Sequence, residues 1–486
     1  LGACPGNPRT AGILGVGGEW RCMPTKQFRS YHPHQVLLMP PSLQDWLPEG
    51  HLAYFISDVV DQLDLSRIEV EYEDELRGAP PYHPAMMVKV LLYAYCTGVF
   101  SSRKIARKLV EDVAFRVLAA GNTPDFRTVN RFRRRHLQAL GELFEQVLRL
   151  AQRAGMVKLG TVALDGTKIR ANASKHKAMS YGRMTQEEAR LAEEVRQLLE
   201  RAEQVDAEED ARYGADRSGD ELPEELQRRE TRLRRIREAK AALEAEAQRR
   251  AAEQAPPPPP PQRPRRGRPR RNPAQARPPA RAQYNFTDPD SRIMLDPSGA
   301  FVQAYNVQVA VEASHQIIVA ADCSPQAADA PHLVPMVQRI HQLTGALPRH
   351  VLADAGYFSE ANLQTLCARG VDPLIPPDKL RHTQPLPPAP RGRIPKTLSV
   401  RDRMRRKLRT RLGRTLYNLR KSTVEPVLGQ IKAALGFRQF SFRGLTQVRA
   451  EWLLVTCAHN LRKLYAARHR LLPLLTHRLG SLPATG

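Results

Sequence analysis

The fold is decided by two short stretches, GTVALDGTKIRANAS at residues 160–174 and HVLADAGYF at residues 350–358. Each contains an apolar run that leads to an acid, Asp165 or Asp354, and each acid is followed at once by Gly or Ala-Gly. Apolar runs bounded by turn residues predict buried strands. A side chain at the end of such a strand lies at the sheet edge where α/β proteins bind ligands. The small residues beside the acids predict room for a phosphate to approach.

Further strands follow these two patterns along the chain. AYNVQVAVEA at residues 304–313 alternates with period 2, HQIIVAADCS at residues 315–324 follows it closely, and VDPLIPP at residues 371–377 is short and edge-like. Segments with helical spacing separate the later strands, at residues 329–345 and 359–370. Two hairpin-like strands followed by alternating helices and strands predict a mixed sheet in an α+β or α/β domain.

The N-terminal third of the chain predicts a different kind of domain. Residues 40–150 contain several short helical patterns separated by Gly, Ser and Thr, and one of these patterns is strongly basic. This arrangement favours a helix-turn-helix-like, all-α domain that binds DNA; the alternative is a plain helical bundle whose polar face is basic. The candidate DNA-binding side chains are Arg103, Lys104, Arg127, Arg131 and Arg133.

Composition divides the rest of the chain. Residues 185–254 are rich in Glu, Arg, Ala and Leu and predict two long solvated helices, whereas the Pro/Arg stretch after them predicts an extended or disordered linker. The predicted divisions are an upstream segment at 1–22, a helical DNA-binding domain at 23–155, a sheet domain at 156–182 and 284–470, a helical insertion at 183–255, a linker at 256–283 and a tail at 471–486.

The charge of the chain indicates the class of partner. Lys and Arg number 75 against 50 Asp and Glu, a formal net charge of +25. This excess favours nucleic acid or an acidic membrane surface, although a GC-rich genome would also raise the Arg content. No apolar run approaches the ~18 residues of a membrane-spanning helix. The six cysteines form no CxxC pair and no secretory signal precedes Met23, the expected start, so we expect a cytoplasmic protein with reduced cysteines.

A third acid with a distinctive setting is Glu425, in the basic segment YNLRKSTVEPVLGQIK at residues 417–432. At 100° per residue, four side chains of this segment share one helical stripe: Tyr417, Lys421, Glu425 and Lys432. Arg420 lies off that stripe. Because Pro426 disfavours helical geometry at the residue before it, the helix is expected either to continue or to break at Glu425.

Acids at a sheet edge predict a metal site. Carboxylates at the edge of a core are costly through desolvation and mutual repulsion, and a divalent cation such as Mg²⁺ or Mn²⁺ relieves both. Two such ions about 3.5–4 Å apart can activate a water or a 3′-hydroxyl and stabilise the leaving oxygen of a phosphodiester. Capping or turn formation is the alternative role for each acid, and spacing does not exclude other candidates: Asp288, Asp290, Asp296, Glu312, Asp322 and Asp329.

The chain resembles the DDE transposases of the IS1182 group, within the broader IS4/IS5-like transposases of bacterial insertion sequences. The motifs that carry the resemblance are ALDGTKIRANAS, TDPDSRIM, AYNVQVAV, LADAGYFS and STVEPVLGQIK, together with the helical N-terminal segment. The resemblance extends from residue 23 to residue 470 and implies a ribonuclease-H-like catalytic domain. It also implies that Asp165, Asp354 and Glu425 are the three catalytic acids and that they hold Mg²⁺ or Mn²⁺.

A related family signature, Tyr-x2-Arg-x3-Glu-x6-Lys, fits the third motif in part. Tyr417 and Arg420 fit its first half, and Glu425 and Lys432 fit its second half. Arg420 lies one residue too far from Glu425, whereas Lys421 has the x3 spacing and the better helical phase. Arg420 and Lys421 therefore both remain candidates for the Arg role of the signature. Four residues are expected to bind DNA phosphate near the cut: Tyr417, Arg420, Lys421 and Lys432.

The resemblance implies a DNA transposase. Such an enzyme would cleave at the ends of an insertion sequence and join them to target DNA by two-metal chemistry. Its partners would be terminal inverted repeats and target DNA, with a homodimer on the DNA, no membrane association and a cytoplasmic, nucleoid-associated location. The alternatives are a nuclease on the same fold that cuts without joining, and an inactive DNA-binding relative.

Overall fold

The computed structural model describes residues 42–72, 80–213, 224–253, 273–296, 298–378 and 397–470, together with residues 388, 392 and 395. The predicted upstream segment at 1–22, the tail at 471–486 and linker residues 256–272 lie outside the described residues. Helices α1–α14 and strands β1–β8 are numbered in chain order.

The N-terminal part is helical, as predicted. Its helices are α1 (Leu52–Val60), α2 (Ser66–Glu69), α3 (Pro84–Cys96), α4 (Ser102–Glu111), α5 (Val113–Leu118), α6 (Phe126–Arg135) and α7 (Leu137–Arg153). Helix α4 packs against α5 and α6, and α6 begins where the Asp125 carboxylate accepts a hydrogen bond of 2.6 Å from the Thr128 N–H. The long basic pattern is divided between α6 and α7 at His136, a buried residue whose ring hydrogen-bonds the Tyr72 hydroxyl.

A mixed six-stranded sheet forms the centre of the second part. Its strands are β1 (Thr161–Arg170), β4 (Arg292–Leu295), β5 (Phe301–Glu312), β6 (Ile318–Ser324), β7 (His350–Leu352) and β8 (Asp372–Leu374). Strand β1 lies between antiparallel β5 and parallel β7; β8 extends the parallel side, and β4 and β6 both pair with β5. Helices α10 (Leu333–Thr344) and α11 (Glu360–Ala368) separate the later strands. The predicted mixed α+β architecture is confirmed.

Two long helices, α8 (Tyr181–Tyr213) and α9 (Glu224–Glu253), form the insertion, and strands β2 (Ala178–Ser180) and β3 (Gln283–Asn285) pair at its base. The helices pack on each other through a small apolar cluster that includes Leu191, Leu233 and Ile236. Of the predicted extended or disordered linker, residues 273–283 are described, and they begin with a short 3-10 helix at Pro273–Gln275. These residues fold back on the base of α8, where the Tyr181 N–H donates to the Ala282 carbonyl at 2.7 Å.

The C-terminal helices join the two parts into one core. They are α12 (Val400–Arg409), α13 (Arg411–Gly429) and α14 (Leu445–Ala466). Helix α14 packs against α3 and α7 on one side and β6 on the other, and its Trp452 is fully buried. At Gly98, which has φ +77°, an added Cβ would lie 2.7 Å from the Leu435 carbonyl oxygen, so only glycine allows this close approach. No helix in the described part of the chain is both long enough and apolar enough to cross a membrane.

Helix α13 continues through Pro426, so of the two expected alternatives, a continuous helix and a break at Glu425, the structure has the continuous helix. A proline inside a helix has no N–H and leaves the carbonyl of the residue four positions earlier without its helical donor. That carbonyl belongs to Ser422, and the Gln316 side chain donates to it at 2.8 Å. The helix therefore passes the proline because a residue outside the helix replaces the lost hydrogen bond, and a one-turn π-helix follows at residues 430–434.

Candidate active site

Asp165 and Asp354 emerge from neighbouring parallel strands at the same level. The last paired positions of β1 and β7 are Ala163 and Leu352, and each acid follows its own strand's residue by two positions. Neighbouring strands lie ~4.8 Å apart and residues two apart face the same side, so the carboxylates emerge side by side. The expectation that Asp165 ends its strand is wrong, because β1 continues along β5 to Arg170; what ends before Asp165 is the pairing with β7.

One guanidinium connects the first and third predicted acids. Helix α13 packs across β1 and β7 and brings Arg420 to the strand ends. Arg420 Nη1 donates to Asp165 Oδ2 at 3.2 Å, and Arg420 Nη2 donates to Glu425 Oε1 at 3.1 Å. The Arg420 side chain is 15% exposed and the Glu425 side chain is 48% exposed. Glu425 therefore lies at the solvent side of the cluster and Asp165 at its buried side.

The structure separates the two candidates for the arginine role. Lys421 is exposed and, within the described part of the chain, its side chain has no hydrogen bond or ion pair, whereas Arg420 contacts two of the three acids. Tyr417 lies beside Arg420 and close enough to Asp354 for that charge to raise its pKa, although burial is the larger cause. Lys432 donates to the Thr167 hydroxyl and, at 3.2 Å, to the Lys168 carbonyl, and burial lowers its pKa.

A fourth acid, Asp329, lies at the same place. Its Oδ1 accepts hydrogen bonds from the amides of Asn306 at 2.8 Å and Gln308 at 2.9 Å, and Gln308 in turn accepts one from the buried Tyr357 hydroxyl. A Cβ added at Gly166 would lie 2.5 Å from Asp329 Oδ1 and from Gln308 Nε2. The space beside Gly166 is thus occupied by the side chains of Asp329 and Gln308. The sequence had predicted that this space would admit a phosphate.

Sequence reasoning left Asp329 as one of six competing acids. The signal that distinguishes it is the pair of amides at alternate positions of β5, which point to the same side of the sheet. Asn306 and Gln308 are almost fully buried, and a buried amide requires a hydrogen-bond partner. The alternating polar positions in AYNVQVAVEA therefore indicated a polar site on one face of this strand.

Negative charge exceeds positive charge around Asp165. Burial raises the pKa of the Asp165 carboxyl to about 6; the Arg420 cation opposes this shift, and the charges of Asp354 and Asp329 add to it. At Asp165, burial and the neighbouring carboxylates thus outweigh the Arg420 cation, although Lys168 Nζ lies 3.6 Å from Asp329 Oδ1.

The raised pKa of Asp165 predicts how stability changes with pH. The folded protein retains the Asp165 proton up to about pH 6, whereas the unfolded chain releases it near pH 3.8. The free energy of unfolding therefore falls as pH rises through this window. In metal-free buffer we expect Asp165→Asn to raise the free energy of unfolding above pH 6 by up to about 3 kcal/mol, with no gain below pH 4. Denaturant titrations at several pH values measure this, and a pH-independent difference would contradict it.

The carboxylates have the donor chemistry of a divalent-cation site but not yet the arrangement of one. Carboxylate oxygens are the ligands that Mg²⁺ and Mn²⁺ prefer, and the excess negative charge at Asp165 favours a cation there. Within the described residues, no three His, Cys, Asp or Glu side chains lie together so that they could hold one ion. Arg420 lies between Asp165 and Glu425, which accounts for this separation.

A basic cleft of about 750 Å³ lies between the N-terminal helices and α14. Its walls include Arg103, Arg127 and Arg131, which are exposed, and Gln447 of α14. The guanidinium groups of Arg103 and Arg127 lie 5.2 and 5.7 Å from the ring centre of Phe126, a partly exposed residue at the start of α6. Lys104 is exposed on α4 but does not line the cleft.

Arg133 must be removed from the predicted DNA contacts. Its side chain is only 4% exposed, donates to the Phe100 carbonyl at 2.6 Å and to the Tyr95 hydroxyl at 3.2 Å, and stacks over the Phe442 ring. Its charge also acts on the fully buried Glu451 of α14. Arg133 therefore stabilises the packing of α6 on the second part, and a basic helix pattern alone did not distinguish this inward position from the outward ones.

Comparison with known families gives two matches. The family described as Transposase DDE domain matches residues 286–461, which include Asp354 and Glu425 but not Asp165, and the family described as Transposase domain (DUF772) matches residues 41–135. Together the matches span more than half of the chain. No curated protein and no solved structure is significantly similar to it. The two domains indicate DNA binding and DNA transposition, and in this combination, which is typical of the IS1182 group, they show that the chain belongs to the DDE transposases.

Proposed function

We propose that this transposase cleaves DNA at the ends of its insertion sequence and joins the freed 3′-hydroxyl to target DNA, with Asp165, Asp354 and Glu425 as the catalytic acids. The observation that carries the proposal is the convergence of the three. Two leave adjacent parallel strands at one level, and the third is connected to Asp165 through Arg420. These are the acids expected from the family pattern, and the convergence draws on three distant parts of the chain.

Enzymes with a DDE domain generally use divalent metal ions. In this proposal Asp165 and Asp354 hold Mg²⁺ or Mn²⁺, and Glu425 completes the site once Arg420 turns from the acids to a DNA phosphate. When bound, the ions supply activation of the attacking oxygen and stabilisation of the leaving oxygen. Arg420 then exchanges one anionic partner for another, and Lys432 and Tyr417 position the same strand. Lys421 is exposed on α13. In this proposal it contacts a DNA phosphate at the periphery of the site.

We assign a ribonuclease-H-like fold to the catalytic part, made of residues 156–182 and 284–470. The support is the sheet order, with the first strand central, an antiparallel side and a parallel side. The helical part at 23–155 is assigned to the terminal inverted repeats, and the insertion at 183–255 remains a separate unit in this division. Because two ends must be cut together, we propose that the active form is a homodimer on DNA.

The basic cleft lined by Arg103, Arg127 and Arg131 is the proposed contact surface for the element end. Replacement of Arg103 and Arg131 by Ala removes two exposed cations, so the log–log salt dependence of binding to an end-containing duplex should fall by about 1.8. Arg149→Ala removes an exposed cation of α7 outside the cleft and should leave that slope unchanged. Fluorescence anisotropy over a range of salt concentrations measures both variants. An equal slope in wild type and the double variant would remove the cleft from the interface.

The overall proposal is tested by incubating the purified protein with a supercoiled plasmid that carries the inverted repeats flanking the coding sequence. Mg²⁺ should give nicked or linear donor and joined products, and EDTA should give neither. Cleavage without joined products would indicate the nuclease alternative. End binding without cleavage at any divalent-ion concentration would indicate an inactive relative.

A further inference from the structure

A second basic cleft, of about 860 Å³, lies between α9 of the insertion and the segment that connects β1 to β2. Its cationic or titratable basic side chains are His176, Lys177, Arg228, Arg232 and Arg235. None of the described residues that line it is acidic, and Met179 and Phe286 supply an apolar part of its wall. We call this the α9 cleft.

The cleft exists because α9 divides its cations between two faces. Arg228, Arg232 and Arg235 are spaced by four and three residues, which places them on one face of the helix. The neighbouring face carries other cations that pair with α8: Arg229 with Glu194 at 3.4 Å, Arg237 with Glu188 at 3.2 Å and Lys240 with Glu188 at 2.9 Å. The insertion is thus charge-mixed along the sequence but segregated around the helix.

Three cations of the cleft, Arg232, Arg235 and Lys177, are weakly neutralised within the described residues. The closest carboxylate to Arg232 is that of Glu187 at 3.9 Å, and within the described residues Arg235 and Lys177 have no ion pair. Long basic side chains that face one cavity repel one another unless an anion joins them. The α9 cleft therefore has the charge pattern of an anion-binding surface, and its length along three helical positions suits a repeated anion better than a single one.

We propose that the α9 cleft binds the sugar–phosphate backbone of the DNA that flanks the cut, an inference that rests on the proposed function. The arginines would contact successive phosphates, and Phe286 and Met179 would contact the deoxyribose between them. Only eleven residues separate Asp165 from His176, so the cleft lies at most about 40 Å from the acids. A duplex that extends about two turns beyond the cut is longer than this limit, so one duplex can reach both places. The helical insertion then acts as a clamp on the strand being cut.

The test compares Arg232→Ala/Arg235→Ala with Arg234→Ala/Arg249→Ala in the full-length protein. The control residues lie on the same helix, are each 71% exposed and do not line the cleft. The probe is an end-containing duplex that extends about two turns beyond the cut on each side, in EDTA. We expect the salt-dependence slope of the cleft variant to fall by about 1.8 and that of the control to remain at the wild-type value. Lys at both cleft positions should restore the slope, because the charge is retained.

The outcomes distinguish this inference from the proposed function. If wild type binds and cleaves the element end but the cleft variant keeps the wild-type slope, the inference is overturned and the function stands. If the wild-type protein neither binds nor cleaves the element end, the proposed function is overturned, and the inference that rests on it is overturned as well. A second probe has the same element end but stops at the cut, and with it the two variants should bind alike, because the flanking backbone is missing. A persistent difference on that short probe would also overturn the inference.

Discussion

Asp165→Asn should reduce donor cleavage and strand transfer by about 10³-fold or more, while binding to the element end stays within about twofold of wild type. Asp165 is the buried acid of the cluster, beside Asp354 and joined to Arg420. Asparagine keeps the shape and the hydrogen bond from Arg420 but removes the negative charge that would hold a divalent cation. The measurement is the rate of nicked-donor formation with Mg²⁺, alongside anisotropy binding in EDTA.

The control for this prediction is Glu360→Gln, which removes an exposed carboxylate at the start of α11. It changes the net charge by the same amount. Cleavage should stay within about twofold of wild type, because solvent and salt screen the effect of an exposed charge on distant residues. Retained strand transfer in Asp165→Asn would exclude Asp165 from the catalytic acids. Loss of end binding in that variant would instead indicate a structural role.

Arg420→Ala should reduce cleavage by on the order of 10²-fold, and Lys421→Ala should change it by less than about threefold. Arg420 is the only cation in contact with Asp165 within the described residues, so its loss leaves buried carboxylates that repel one another. Lys421 is exposed and contacts none of the acids. Single-turnover cleavage of an end-containing duplex compares the two variants directly.

Two further measurements sharpen the Arg420 prediction. Arg420→Lys keeps one positive charge but cannot bridge Asp165 and Glu425 with two N–H groups, so it should recover only part of the activity. Raising the Mg²⁺ concentration should rescue Arg420→Ala partly if the lost cation mainly neutralises the acids. Equal losses in the Arg420 and Lys421 variants would contradict the assignment and return both residues to candidacy.

The sequence located the region of the third acid but not its partner. Helical phase placed Lys421 on the stripe of Glu425 and placed Arg420 off it, yet the structure brings Arg420 to the acids. Helical phase gives the direction in which a side chain leaves the helix. It does not give the position of the terminal group of a long side chain. An arginine reaches several ångströms around its helix when an anion such as Asp165 lies on a neighbouring strand.

The sequence pattern also did not predict which arginines of the basic segment are buried. Arg131 and Arg133 belong to the same basic run, but α6 turns Arg133 towards Tyr95 and Phe442 and leaves Arg131 in the cleft. Which face of α6 is covered depends on Tyr95 of α3 and on Phe442, which lies more than 300 residues later in the chain. The same holds for Gly166, whose missing side chain makes room for Asp329 from another part of the chain.

By itself the sequence determined the class of architecture and the identity of the protein's family. Alternating apolar residues predict strands, and apolar runs ending near Asp165 and Asp354 predict the sheet edge, because these are local properties of the backbone and of burial. The tertiary structure alone decided which charges meet: Arg420 with Asp165 and Glu425, Asp329 with the amides of β5, and the cations of α9 with the segment after β1. Contacts between distant segments depend on strand register and helix packing, and no local pattern encodes them.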